Sequence, residues 1–449
     1  MNNNITKKDG FTSKLGFTLA SIGSAVGMGN IWRFPVMVSL WGGMSFLLPY
    51  FLFVILIAST GVIEEFSFGR LTGSGPVHAF GFATGQRGKE SLGKKLGIIP
   101  VIGSLALAIG YTAVMGWIFR YNYLAIKGTL TNFADDNYMI GMTFNQTAFA
   151  FANNFWIIVA GVSSMIIMSY GIAKGIERAN KILMPILFIL LLGLAVYIGQ
   201  NPAATRGYQY IFNLNTEKLA DPKLWVFAFG QAFFSLSIAG NGSVIYGSYL
   251  SKDEDIPSSA KNIAFFDTLA ALLAAFVIIP AMAIGSADLN EGGPGLMFIY
   301  LVIVFNKIES GRILMVIFYL AVLFAGFSSI INLYEAPVAY VQERFGLGRK
   351  KAAFIINALG IIAAIFIQGI VGSWMDFVSI VIAPLGALLA GIMFFWVLDK
   401  DIAISEVNKG RKKAIGSWFY PLGRYVYCLL SILAVSYTHL RAHETPEHL

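Results

Sequence analysis

The chain has 449 residues, of which 57% are hydrophobic and only 12% charged, with a net charge of +8 and a single cysteine, Cys428. Soluble domains carry about a quarter of their residues as charges, so this composition excludes a soluble globular domain and marks an all-α polytopic membrane protein. The lysines and arginines fall between apolar runs rather than on one basic surface, which argues against nucleic acid as a partner. A lone cysteine in an apolar run excludes a disulfide framework and a cysteine metal site.

The opening MNNNITKKDG lacks the apolar core and cleavage site of a secretory signal, so the first span must direct insertion. Runs of about 20 apolar residues, enough to cross a bilayer, lie near 13–38, 42–69, 97–126, 155–173, 182–199, 224–249, 261–285, 312–342, 352–370, 377–398 and from about 418. These are eleven expected spans. Lys7, Lys8 and Lys14 precede the first; Arg70, Arg87, Lys89, Lys94 and Lys95 follow the second. Lys174, Arg178 and Lys181 follow the fourth, Arg344, Arg349, Lys350 and Lys351 the eighth, and Lys409, Arg411, Lys412 and Lys413 the tenth. The segments around Asp135 and Asp136 and around Gly372 to Asp376 are poor in Lys and Arg. Positive charge marks cytoplasmic loops, which places the amino terminus inside.

The first span, LGFTLASIGSAVGMGNIWRFP at 15–35, is long and apolar but interrupted by Gly23, Ser24, Gly27, Gly29 and Asn30 and followed by Arg33. Each glycine weakens a helix by roughly 1 kcal/mol relative to alanine. A break at mid-membrane frees peptide groups that lipid cannot satisfy, so it is tolerable only where it lines a protein cavity holding something polar. The sixth span repeats the pattern: GQAFFSLSIAGNGSVIYGSYL carries Ser235, Ser237, Gly240, Asn241 and Gly242. Paired Gly-interrupted segments at corresponding places in two halves point to an inverted-repeat transporter with its site at the midplane. Five spans per half give the halves opposite orientation, with residues 1–200 as the first repeat and 201–400 as the second.

Two further charges need an account. Asp267, in FFDTLAALLAAF, costs roughly 2.5 to 3.5 kcal/mol at membrane depth on insertion scales; the alternative places it at a cytoplasmic mouth beside Lys261. Arg33 inside an apolar segment needs a partner, and Asp376 in GSWMDF is expected to begin the tenth span. Serines 328 and 329 stand at i+3 and i+4 from Ala325 and so share a helical face. At the end, residues 401–437 are read as an eleventh span cut short near Val435. SYTHLRAHETPEHL then follows abruptly with three of the four histidines; it resembles translated sequencing-adapter read-through, and 438–449 are read as a non-native tail without function.

GSAVGMGNIWRFP at 23–35, KGIERANKILMP at 174–185, GQAFFSLS at 230–237, DTLAALLAA at 267–275, GPGLMF at 293–298 and LFAGFSS at 323–329 together resemble the neurotransmitter:sodium symporter family, and within it bacterial amino-acid transporters of the LeuT type. The likeness covers residues 10 to 435. It implies a LeuT-like 5+5 inverted repeat with helices 1 and 6 broken, two sodium ions and an amino acid as cargo, and allows a homodimer. It implies one sodium held by the Ala25 carbonyl, Asn30, Ser235 and Asp267, and a second by the Gly23 and Val26 carbonyls with Ala325, Ser328 and Ser329. An acidic residue at 267 implies a cycle that does not require chloride. Tyr111 would bind the substrate carboxylate, Phe234 would lie over it as a lid, and Ala25, Gly29, Leu107, Ser235, Ser237, Gly240, Ser329 and Leu333 would complete the pocket. The half-helix ends favour the same carboxylate. The resemblance also implies gates: Arg33 with Asp376 and Gln231 on the outside, Lys8 with Glu343 on the inside. Gly175 and Pro185 would frame a segment of the fifth span that unwinds.

The chain departs from the family at Ala239-Gly240-Asn241-Gly242, where relatives show Gly, a bulky apolar residue and Gly. Loss of bulk enlarges the pocket for an aromatic or large aliphatic amino acid; a register shift that turns Asn241 inward would favour a more polar one. The larger pocket is the expectation, with sodium-coupled uptake as the function. A proton-coupled exchanger and a ligand-binding membrane sensor are the alternatives. No His, Cys or paired-acid cluster stands at helical spacing in any span, so an enzyme is not expected.

Overall fold

The computed structural model describes residues 10–133, 136–238, 242–285 and 295–441. Lys8, Gly240 and Asn241, all singled out from the sequence, lie outside the described residues. The described residues form helices throughout, and each of the eleven apolar runs falls on helical segments.

Five helices are long and apolar enough to cross a membrane unaided: Met44–Thr72, Glu90–Lys127, Ile172–Gly199, Ile256–Ile284 and Gly311–Phe345. They serve as spans two, three, five, seven and eight. Span nine, Arg349–Phe366, meets Gln368–Phe377 at a bend of 67°. The first and sixth spans are interrupted. Span one runs as Lys14–Ala25, then resumes with a π-turn at Gly29–Arg33 leading into Phe34–Trp41. Span six runs as Pro222–Ser235 and resumes as Gly242–Gly247.

Four boundaries move. Helix three begins at Glu90, where Lys94 pairs with Glu90 at 2.5 Å one turn away, so Lys94 and Lys95 sit on a helix that extends beyond the apolar run. Helix nine stops at Phe366, and span ten starts earlier than 377: Val371–Phe377 runs on into Val378–Ile382 and Ala383–Ile392, so Asp376 lies in its opening segment. The last helix, Cys428–Arg441, continues past Val435, because the polar residues that follow are no barrier to helical propagation. Span five is wound here, opening as a π-helix at Ile172–Glu177 and continuing as Arg178–Gly199.

Helices three and eight pack along one another, and the first half of span one lies against spans five, seven and eight. Small residues make this closeness geometric. A Cβ on Gly69 would fall 1.9 Å from the Val244 carbonyl oxygen, and one on Gly360 would fall 1.9 Å from the Tyr334 hydroxyl. Lipid tails give helices no hydrophobic reason to associate, so contact area of this kind is what holds the bundle. Exposed Leu48, Leu52, Ile55, Ile189, Leu192 and Val196 form the outward faces of spans two and five.

Candidate functional site

Span one breaks where its glycines meet side chains from other helices. Helix Lys14–Ala25 ends at Val26, whose ψ of 105° is extended. The chain then turns, with Asn30 accepting a hydrogen bond from the Gly27 N–H through Oδ1 at 3.0 Å. A Cβ on Gly27 would lie 2.2 Å from Ser329 Oγ, on Gly29 2.7 Å from Phe234, and on Gly23 2.0 Å from Asn180 Oδ1. These glycines are required less for backbone freedom than for close approach. In span six, Ser237 holds a left-handed φ of 54° without being glycine, and its hydroxyl donates to the Ser24 carbonyl at 2.6 Å. Strain of this sort concentrates at functional sites; here it ties the two breaks together.

Between the breaks lies a cavity lined by Ala25, Gly29, Leu107, Tyr111, Phe234, Ser237, Ser329 and Leu333 among others. Those eight are pocket residues expected from the sequence. Ser235 points elsewhere. Asn332 lines the cavity as well, and sequence reasoning missed it: an asparagine three residues past two noticed serines carries no separate signal.

Beside the cavity, Asn30, Ser235 and Asp267 converge. Asp267 is fully buried; Asn30 Nδ2 donates to its Oδ1 at 2.7 Å, to its backbone oxygen at 3.1 Å and to Ser235 Oγ at 3.1 Å. Ser235 Oγ donates to Asp267 Oδ2 at 2.7 Å, and Tyr50 OH donates to Ser235 Oγ at 3.3 Å. Asp267 is therefore no solvated charge at a mouth near Lys261. Tyr50, buried in the apolar run LLPYFLFVIL, gave no sign of its role. A carboxylate and a hydroxyl are hard oxygen donors of the kind a small monovalent cation takes, while the Asn30 amide turns its nitrogen to them and its oxygen to the Gly27 N–H. A sodium ion beside Asp267 would require the Asn30 N–H and the Ser235 hydroxyl proton to turn away, and would supply the full positive charge that these neutral donors do not.

A second group of oxygens lies at the end of helix Lys14–Ala25. Ser328 Oγ is 3.4 Å and Ser329 Oγ 3.5 Å from the Val26 carbonyl oxygen, while Ser328 Oγ donates to the Ala325 carbonyl at 2.8 Å. Gly23 adjoins the same place, its Cβ position 3.0 Å from Ser328 Cβ. Gly23, Val26, Ala325, Ser328 and Ser329 are thus brought together.

Of the expected gate residues, Arg33, Asp376, Gln231 and Glu343 are described. Arg33 makes no ion pair with Asp376 within 4 Å; its guanidinium carbon lies 5.4 Å from the centre of the Phe234 ring. Gln231 does not bridge them either, since its Nε2 donates to the Gly29 carbonyl at 3.1 Å. Glu343 lies 3.6 Å from His78 Nε2. Among the described residues no cluster of three or more His, Cys, Asp or Glu could hold a metal ion.

The family model described as the sodium:neurotransmitter symporter family matches residues 8–139 and 150–412. The chain belongs to that family. An uncharacterized sodium-dependent transporter of Bacillus subtilis, YhdH, is 30% identical over 94% of this symporter and 96% of its own length. A counterpart in Methanocaldococcus jannaschii is 29% identical over 94% and 88%. The solved structure of MhsT in complex with L-phenylalanine superposes with a TM-score of 0.84 at 31% identity, covering 96% of this chain and all of that one. This symporter therefore has the LeuT-like fold of a multi-pass, sodium-dependent transporter of a small-molecule substrate, and its family and fold are those of transporters rather than enzymes.

Proposed function

We propose that this symporter imports a hydrophobic or aromatic amino acid, coupled to two sodium ions, by alternating access. The observation that carries the reading is the cluster of Asn30, Ser235 and Asp267 at the wall of a cavity between two broken helices. The first sodium takes Asp267, Ser235, Asn30 and the Ala25 carbonyl; the second takes the Gly23 and Val26 carbonyls with Ala325, Ser328 and Ser329. Asp267 supplies a fixed negative charge, so chloride is not required. The amino acid carboxylate meets Tyr111 and the half-helix ends, and Leu107, Phe234 and Leu333 give its side chain an apolar surround. That Asn332 also faces the cavity is compatible with aromatic rings bearing a polar atom. With the amino terminus cytoplasmic, as the loop charges favour, each sodium moving inward across 100 mV contributes about 2.3 kcal/mol. The two repeats, 1–200 and 201–400, rock about this fixed site.

The test is scintillation-proximity binding of labelled amino acids to purified protein with sodium, potassium or choline. Phenylalanine, tryptophan or leucine should bind in sodium alone, and equally in chloride and gluconate. Asp267→Asn should lower binding at least about 30-fold, since a charge-assisted contact is worth roughly 2 kcal/mol or more. Binding by none of the twenty amino acids in sodium would defeat the proposal.

A further inference from the structure

Asn180 lies on span five, in ERANKILMP, and is fully buried. Its Nδ2 donates to the Ile176 carbonyl at 2.9 Å, which fixes the orientation of the amide. The oxygen therefore faces the other way, and it has no hydrogen-bond partner among the described residues. It faces Gly23: a Cβ there would lie 2.0 Å from Asn180 Oδ1 and 3.0 Å from Ser328 Cβ. An amide oxygen without a donor in a dry interior is costly, and native structures rarely keep one without use. This one points at the residue whose carbonyl, with Val26, Ala325, Ser328 and Ser329, is assigned to the second sodium.

We propose that Asn180 supplies a further oxygen to the cation at the end of helix Lys14–Ala25 and thereby ties span five to that ion. The proposal rests on the second sodium site of the functional reading above. Amide oxygens are ordinary ligands for hard cations, and five oxygens from spans one and eight leave room in a six-fold shell. The position couples binding to movement. One turn earlier, Glu177 receives the Thr12 N–H at 2.7 Å, the Thr12 hydroxyl at 2.7 Å and the Ser13 hydroxyl at 3.0 Å, and a π-helix occupies Ile172–Glu177. While the ion is bound, Asn180 holds that irregular turn against span one; when the ion leaves, its oxygen loses its partner and the turn is released.

The experiment titrates sodium against binding of labelled phenylalanine, and in parallel against the melting temperature of substrate-free protein, for the wild type, Asn180→Ala and Asn180→Asp. The alanine variant should raise the half-saturating sodium concentration about tenfold, equivalent to the loss of one hydrogen-bond-sized contact, and shrink the sodium-induced melting shift read against the variant's own sodium-free melting temperature. The aspartate variant should restore sodium affinity to the wild-type value or better. An alanine variant whose sodium dependence stays within twofold of wild type overturns the proposal, as does an aspartate variant that behaves like alanine. Should phenylalanine and every other amino acid fail to bind the wild type, the substrate reading falls, and the substrate-free melting shift still decides the role of Asn180.

Discussion

The two ends of the molecule differ in how their buried charges are paired. At the end that carries the amino terminus, buried charges are paired in contact. Glu335 is gripped by Arg349 through two bonds of 2.6 and 2.7 Å and receives the Tyr249 hydroxyl at 2.7 Å, while Arg349 Nε donates to the Met168 carbonyl at 2.8 Å. Arg70 bonds Glu406 Oε1 at 2.7 Å, with both side chains 1% exposed, and donates to the Glu254 and Glu406 carbonyls at 2.6 Å. At the other end Arg33 rests near Phe234 and does not reach Asp376. Ion pairs in contact at one end are thus set against Arg33 and Asp376 at the other, which make none.

The largest effect should come from the Glu335–Arg349 pair. Removing one partner of a buried ion pair leaves an uncompensated charge, at a cost of about 3 to 5 kcal/mol. Arg349→Ala should therefore lower the melting temperature of the solubilised protein strongly, and Glu335→Gln in the same chain should recover most of the loss. If the single variant melts like the wild type, the pair does not hold that end closed. Next comes Glu177, which gathers Thr12, Ser13 and, at 2.6 Å, Lys181. Glu177→Ala should cost about 1 to 3 kcal/mol and should make a cysteine placed at Ser13 more reactive to a thiol reagent added from the amino-terminal side. Cys428 is the only native cysteine and is buried, so that background is clean. Unchanged labelling would mean that Glu177 anchors the chain without guarding a path.

The same contrast shows what could be read from residues alone. The breaks in spans one and six were legible because glycine, serine and asparagine clustered within a 20-residue apolar segment weaken the helix at a depth where lipid cannot satisfy the freed peptide groups. Asp267 was legible because a lone carboxylate at depth demands a partner. The pairing charges were not. Arg70 and Arg349 sit in the stretches whose positive charge orients the spans, and nothing in their spacing separates a solvated loop arginine from one that turns inward to Glu406 or Glu335. Glu335 itself lies in NLYEAPVAY, where only the third dimension shows that Arg349 covers it. Asn180 stands inside the motif KGIERANKILMP, yet its meaning depends on which carbonyl its amide nitrogen takes.

The smallest expected effect lies at the Arg33 end and discriminates most finely. Arg33 and Asp376 form no ion pair, so Asp376→Asn removes only a distant attraction, and an unmade or surface pair contributes about 0 to 1 kcal/mol. Melting temperature and equilibrium amino acid binding should both stay near wild type. Uptake into proteoliposomes should nevertheless fall several-fold if the pair forms during the cycle, because a state in which Arg33 swings from Phe234 to the carboxylate loses a direct contact while the present state loses only the distant attraction. Arg33→Lys, which keeps the charge but not the planar two-pronged donor, should give an intermediate rate. Uptake that persists at the wild-type rate in both variants would show that closure of this end depends on Phe234 packing over the cavity and not on charge.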